Sequence, residues 1–358
     1  NMDRFGIEDD IDEELADAYR DNFQEMGGQA RRQRGAHKRQ FEPQIISAAA
    51  LAMMEFPAIK YVVPGYIAEG LTILAGKPKI GKSWLVLETA IAVAESGTCL
   101  GGIECEQGDV LYLALEDNRR RLLSRLRKLG PTPERLHLAT EWARANEGGV
   151  DALRTWIEEH PNARYVVIDV LAMFRAAKGR DQSLYDADYA AVKELQSLAM
   201  ETGVAIVVVT HTRKSAAEND PFEKVSGTLG ISGGADAVLI LDRDQNGVTL
   251  YGRGRDIEEI ETAVTFDRET CRWVALGDPG EVRMGLLRSE IIRLLQKSAE
   301  PMGPTELAKA LDYSAENVRQ TLPRMVKAGE IEKSGRGKYL HPDNPLSQQS
   351  QCHKENME

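Results

Sequence analysis

Apolar positions along the chain fall into three regimes. Between about residues 42 and 277, short apolar runs of strand length alternate with longer stretches of helical spacing. The runs are LTILA (71–75), DVLYLAL (109–115), RYVVIDV (164–170), VAIVVVTH (204–211), AVLIL (237–241), GVTLYG (247–252) and TAVTFD (262–267). The middle runs are continuously apolar rather than alternating, as in strands of a parallel sheet covered on both faces. RRRLLSRLRKLG and ADYAAVKELQSLAMETG lie between them as helices. The later runs are closely spaced and read as antiparallel strands extending one edge. The expected fold class is α/β, with a mostly parallel central sheet flanked by helices.

After Pro279 the pattern becomes helical. LLRSEIIRLLQKS is an amphipathic helix and GPTELAKAL a shorter one. A third helix starts at an N-cap, Ser314, and stops at Gly329, with Val318, Leu322, Met325 and Val326 on one face. IEKSGRGKYL then reads as two short strands around a Gly-Arg-Gly tip. Three helices and a hairpin make a winged helix-turn-helix. The expected division is a tail and linker over 1–42, a sheet domain over 43–280, the winged helix over 281–342 and a disordered tail over 343–358. The first of these is acidic and then strongly basic, through Arg31, Arg32, Arg34, Lys38 and Arg39, with little to bury. That basic block suits either a solvated linker or contact with nucleic acid.

Composition narrows the class. A chain of 358 residues, 42% hydrophobic and 28% charged, is an ordinary globular protein of roughly two domains. Its net charge of −11 argues against nucleic-acid binding over the whole surface, though not over local basic loops. The four cysteines form no C-x-x-C pair and have no histidine cluster beside them, so they read as thiols in a reducing compartment. No apolar run is long enough to span a membrane, and a cytoplasmic protein is expected.

The chemistry begins at GKPKIGKS, 76–83. A strand-length run precedes it and an apolar helix follows, ending near Gly97, which is the setting of the phosphate-cradling pattern G-x-x-x-x-G-K-[ST]. Backbone N–H groups of Gly76, Lys77, Lys79, Ile80 and Gly81 in the loop and of the helix start (Lys82, Ser83, Trp84) would face phosphate oxygens, with Pro78, which has no N–H to give, shaping the same loop. Lys82 would reach the β- and γ-phosphates of ATP, and Ser83 would hold Mg²⁺. Gly76 and Gly81 let backbone and ligand approach without a Cβ between them.

Four further positions narrow this. Asp169 ends an apolar strand and can hold the Mg²⁺ ion opposite Ser83, or serve only as a strand-end cap. Glu116 and Asp117 end the strand that follows the phosphate-loop helix. Glu116 would orient or deprotonate an attacking water, whereas Asp117 suits the N-cap of the next helix. His211, after Thr210, would sense the γ-phosphate or be an ordinary loop histidine. Arg253 and Arg255 project between glycines after a strand. They would reach a neighbouring subunit's phosphate as a finger in trans, or form surface ion pairs with Asp256, Glu258 or Glu259.

On AGKPKIGKS, YLALED, YVVIDVLAMF, VVVTHTRK, SGTLGISGGADAVLIL and GRGRDIEE, the chain resembles RecA-fold ATPases, in particular RepA-like hexameric replicative DNA helicases of plasmids and phages. The resemblance covers about 57–275 and leaves out the winged helix. It implies a ring-shaped hexamer, ATP bound between subunits and single-stranded DNA in the channel. It maps the catalytic glutamate onto Glu116, the Walker B aspartate onto Asp169, the sensor histidine onto His211 and the trans-acting basic residues onto Arg253 and Arg255.

Two loops then become DNA candidates: one with Arg175, Lys178 and Arg180, the other with Arg213, Lys214 and Lys224. Phe222 is the only ring in the second, so stacking on bases should be minor and sequence selectivity weak. In the winged helix Asn317, Arg319, Gln320 and Arg324, with Arg336 in the wing, can read base edges of duplex DNA and grip phosphates. Winged helices also bind proteins, and Pro323 inside the third helix carries a penalty of about 3 kcal/mol. Three functions fit: a hexameric helicase, an ATP-switched DNA-binding regulator, and an NTPase that loads another helicase.

Overall fold

The computed structural model describes residues 45–130, 132–177, 184–212, 220–223, 233–244 and 247–344. Lys178, Arg180, Arg213, Lys214 and Lys224, the stretch 1–42 and the chain from 345 onward lie outside them. The chain divides into two compact units, Asn1–Ala58 and Ile59–Glu358. In the first, a short helix α1 (Ala48–Leu51) is capped by Ser47, whose hydroxyl accepts from the Ala50 N–H at 3.1 Å.

The second unit is built on a nine-stranded sheet. Two minor hairpins, β1 (Tyr61–Val63) with β2 (Ile67–Ala68) and β4 (Thr98–Cys99) with β5 (Ile103–Glu104), stand apart from it. Its strands in chain order are β3 (Gly70–Gly76), β6 (Asp109–Ala114), β7 (Leu136–Ala139), β8 (Ala163–Asp169), β9 (Ala205–His211), β10 (Ala237–Asp244), β11 (Gly247–Gly254), β12 (Ile260–Asp267) and β13 (Arg272–Gly277). In space they run β13-β12-β11-β10-β3-β9-β8-β6-β7. From β10 to β7 every pairing is parallel, and β11, β12 and β13 extend the β10 edge antiparallel, as the spacing of the runs indicated. β7 and β13 were not among the runs picked out from the sequence.

Period-two alternation sends side chains to both faces, and both are covered. Tyr112, Tyr165, Val167, Val207 and Leu239 pack with α2 (Lys82–Glu95) and α3 (Arg119–Leu129). Leu71, Ile73, Leu113, Ile168, Val208 and Ile240 pack with α4 (Gly149–Glu159), α5 (Leu171–Phe174) and α6 (Leu184–Thr202). Burial on both faces is why these runs read as continuously apolar, and each fully buried Leu, Ile or Val contributes about 1.5–3 kcal/mol.

The C-terminal part is three helices, α7 (Pro279–Lys297), α8 (Pro304–Leu311) and α9 (Ala315–Lys327), with an antiparallel pair β14 (Glu332–Lys333) and β15 (Tyr339–Leu340). Asp278 caps α7 by accepting from the Glu281 N–H at 2.8 Å, which starts this region slightly before 281. Ser314 caps α9 as its position predicted, accepting from the Asn317 N–H at 3.2 Å. Val318, Leu322 and Met325 of α9 meet Leu287 and Ile291 of α7 and Leu307 of α8 in a core of their own. α9 runs on through Pro323 to Lys327.

Candidate functional site

The C-terminal ends of the parallel strands share one edge, and the chemistry gathers there. β3 ends at Gly76, level with Leu241 of β10 and His211 of β9. A Cβ on Gly76 would lie 2.6 Å from the Leu241 carbonyl oxygen, so no other residue fits without moving a central strand. Gly81, the N-cap of α2, has φ 113°, and a Cβ there would lie 2.7 Å from the Trp273 ring. Both glycines are fixed by what approaches them as well as by the turn. Lys77, Pro78 and Lys79 are exposed, Ile80 is buried, and Lys77 pairs with Asp242 at 3.6 Å.

Lys82 is the central charge. It is only 5% exposed, and its Nζ donates to the Gly76 carbonyl at 2.7 Å, to the Lys77 carbonyl at 3.0 Å and to His211 Nδ1 at 3.1 Å. Burial pulls its pKa down to about 8, although the charges of Asp169 and Glu116 act to raise it. Sequence position left His211 either a sensor or a loop histidine; here it sits directly on the loop's lysine, with Nδ1 as the acceptor.

Asp169 closes β8 and is 5% exposed. Burial pushes its pKa up, while the neighbouring Ser83 and Tyr112 hydroxyls and the charge of Arg125 act to lower it. The Tyr112 hydroxyl donates to Oδ2 at 2.8 Å, and Oδ1 is buried with no hydrogen-bond partner. A buried carboxylate oxygen without a donor costs about 1–3 kcal/mol, a cost that a hard cation removes. The pair Ser83 and Asp169 therefore fits Mg²⁺.

β6 delivers the second carboxylate. Glu116 is exposed just beyond its end, within electrostatic range of Lys82. Asp117 does not cap the next helix as its position suggested. Asn118 does, accepting from the Arg121 N–H at 2.9 Å, because Asp117 is drawn into ion pairs with Arg121 and Arg125. Arg125 also lies over the half-buried Trp84 ring, 5.5 Å from its centroid.

Arg253 and Arg255 are elsewhere. Arg253 is level with Val238, and the Arg255 N–H bonds to the Asp236 carbonyl beside Leu71. Five residues of β3, or about 16 Å, separate that anchor from Gly76, so Arg255 stands away from the pocket of its own chain. Arg253 pairs with Glu259 at 2.9 Å and Asp220 at 3.1 Å and lies over Phe222, while Arg255 pairs with Asp236 at 3.4 Å. Glu259 is one of the acids expected for Arg253; Asp220 and Asp236 are not, being distant in sequence. Phe222 is packed against the core beneath Arg253 rather than presented to bases. Arg175 is held by Asp188 at 3.0 Å, so a DNA contact there would require opening that pair. Asn317, Arg319, Gln320, Arg324 and Arg336 are exposed; Arg324 rests on the Met284 sulfur of α7 at 3.5 Å.

Besides Tyr112, two residues brace the site without any motif to mark them. Trp273, fully buried on β13, donates from Nε1 to the Gly81 carbonyl at 3.2 Å. Glu88, buried within α2, accepts from the Trp273 N–H at 2.8 Å and the Leu100 N–H at 3.2 Å. Glu88 is a charged residue at the centre of an otherwise apolar helix, and that is the signal that could have found it.

The sequence pattern of the family described as "AAA domain" matches residues 37–217, just over half of the chain. A solved structure described as an "ATPase Domain" aligns with TM-score 0.48 and 15% identity, over 58% of this chain and 85% of that one. Another, described as "The Structure Of A DnaB-Like Replicative Helicase And Its Interactions With Primase", aligns with TM-score 0.50 and 15% identity, over 70% of this chain and 71% of that one. The second likeness is one of fold: an α/β domain with a mostly parallel sheet between helices, as in the ATPase domain of such helicases. No curated protein matches the chain.

Proposed function

The chain belongs to the AAA domain family, and from that premise we propose that it is an ATP-hydrolysing DNA motor of the RepA-like hexameric kind. It would move on single-stranded DNA in the replication of a plasmid, phage or mobile element. One observation carries the reading: a buried lysine at a glycine loop, a buried carboxylate oxygen without a donor and an exposed carboxylate converge on one edge of the sheet.

In this reading the loop Gly76–Gly81 and the N-terminus of α2 hold the triphosphate, and Lys82 leaves its carbonyl partners for the β- and γ-phosphates. Ser83 and Asp169 would hold Mg²⁺, which when bound would neutralise phosphate charge. Glu116 orients the attacking water. His211, sharing a hydrogen bond with Lys82, registers whether a γ-phosphate is present. Arg255 lies toward the opposite end of the strands and Arg253 is held by acids of its own chain away from the loop, which supports a role toward a neighbour's pocket and hence a homo-oligomeric ring. The three C-terminal helices with their hairpin form a winged helix over about 281–342.

The exposed row Asn317, Arg319, Gln320 and Arg324 favours one second reading, an ATP-switched regulator that finds a duplex site through α9. A forked-duplex strand-displacement assay separates the two. ATP-dependent unwinding that disappears in Lys82→Ala supports the motor. Protection of one duplex site with no unwinding supports the regulator. Absence of nucleotide binding in the presence of Mg²⁺ removes both.

A further inference from the structure

Asp169 has two chemically equivalent oxygens, and rotation about its last bond exchanges them. The structure makes them unequal. Tyr112 is fully buried and donates to Oδ2, leaving Oδ1 without a partner. The two residues meet because of strand register. β6 and β8 are parallel neighbours in which Tyr112 is level with Val167 and Ala114 with Asp169. Tyr112 and Ala114, two apart, lie on the same face of β6, and both belong to the cluster packed under α2. Ala114, opposite Asp169, is small enough to leave the phenol room to reach forward. The same period of two brings Glu116 beyond the strand end.

We propose that Tyr112 is the positioning residue of the metal site. Its hydroxyl locks the Asp169 carboxylate so that only Oδ1 is available to Mg²⁺. β6 thus supplies both the group that orients the metal ligand and, at its tip, the carboxylate assigned to water. This rests on the nucleotide reading of the site.

The test is Tyr112→Phe in the full chain, which keeps the ring and removes the bond. The readout is the Mg²⁺ concentration that half-saturates binding of a fluorescent ATP analogue, measured beside nucleotide binding in EDTA. A partner of this kind typically affects metal affinity 10–100-fold. The expected result is a rise of about 10-fold or more in half-saturating Mg²⁺, with binding in EDTA unchanged. In an Asp169→Asn background, adding Tyr112→Phe is expected to change nothing further, because the residue acts only through Asp169. That comparison also serves if the single variant is poorly folded, since the double variant buries a neutral amide in place of a charged carboxylate. An unchanged half-saturation in Tyr112→Phe, or an equal further loss in the Asp169→Asn background, would overturn the inference alone. If the parent chain binds no nucleotide, the inference falls together with the function it rests on.

Discussion

The phosphate-loop end of the sheet and the C-terminal three-helix region solve the burial problem in opposite ways. In the helical region the core is Leu287, Ile291, Leu307, Val318, Leu322 and Met325, and its buried polar groups are bonded: Thr321 to the Asn317 carbonyl at 2.7 Å, Asn344 to the Ser298 carbonyl at 2.9 Å. At the strand tips Lys82 and Asp169 are buried charges, and one Asp169 oxygen lacks any partner. The first arrangement spends its contacts on stability. The second holds groups in states that water would relieve, and such groups mark sites awaiting a ligand.

Substitutions can break this contrast. The largest effect is expected in the helical core, where Leu322→Ala should lower unfolding stability by about 2–5 kcal/mol in a denaturant titration. Nucleotide affinity at the strand tips should hold wherever the chain remains folded.

Lys82→Met should act in the opposite direction. The folded pKa of about 8 lies below the ordinary lysine value of 10.5, so the unfolded chain binds more protons between those values and the parent gains stability as pH rises through that window. Below pH 8 the penalty is complete, on the order of 3 kcal/mol. The variant should therefore be more stable than the parent at pH 7, with the gap narrowing by pH 10. A constant gap would show that the buried charge is not its source. Nucleotide affinity of the parent should fall over the same rise in pH, as the ammonium is lost.

Asp169→Asn should raise the metal-free melting temperature by a few degrees, since burial disfavours the carboxylate. A lowered melting temperature would mean that the charge is satisfied in the free protein. The smallest effect is expected from Arg255→Ala. Its pair with Asp236 is exposed on the arginine side, and the change should stay within about 0.5 kcal/mol in stability. A marked loss of hydrolysis with no loss of stability would place Arg255 in a neighbour's site.

What could be read from the chain follows the range of the interactions. The loop 76–83, the parallel core strands, the antiparallel edge and the Ser314 cap are local patterns, and the structure reproduces them. Asp117 and Asn118 show where local reasoning failed. Both residues can cap, and the choice turned on Arg125, two helical turns further along. Tyr112 and Trp273 escaped notice for a simpler reason. Their partners lie 57 and 192 residues away in sequence, and an apolar run does not reveal which of its rings carries a bond. β7 was missed because it has only four residues, and β13 because polar Arg272 opens it after the left-handed Cys271.

Trp273 has a practical consequence for dissecting the protein. The family match stops at residue 217, but the carbonyl that crowds Gly76 belongs to Leu241 and the indole behind Gly81 to the last strand of the sheet. A fragment excised at 217 would keep every signature residue of the loop and lose its back wall. The shortest piece able to retain the pocket's shape extends through Gly277, and the indole at its far end is a built-in fluorophore for following that pocket as it fills.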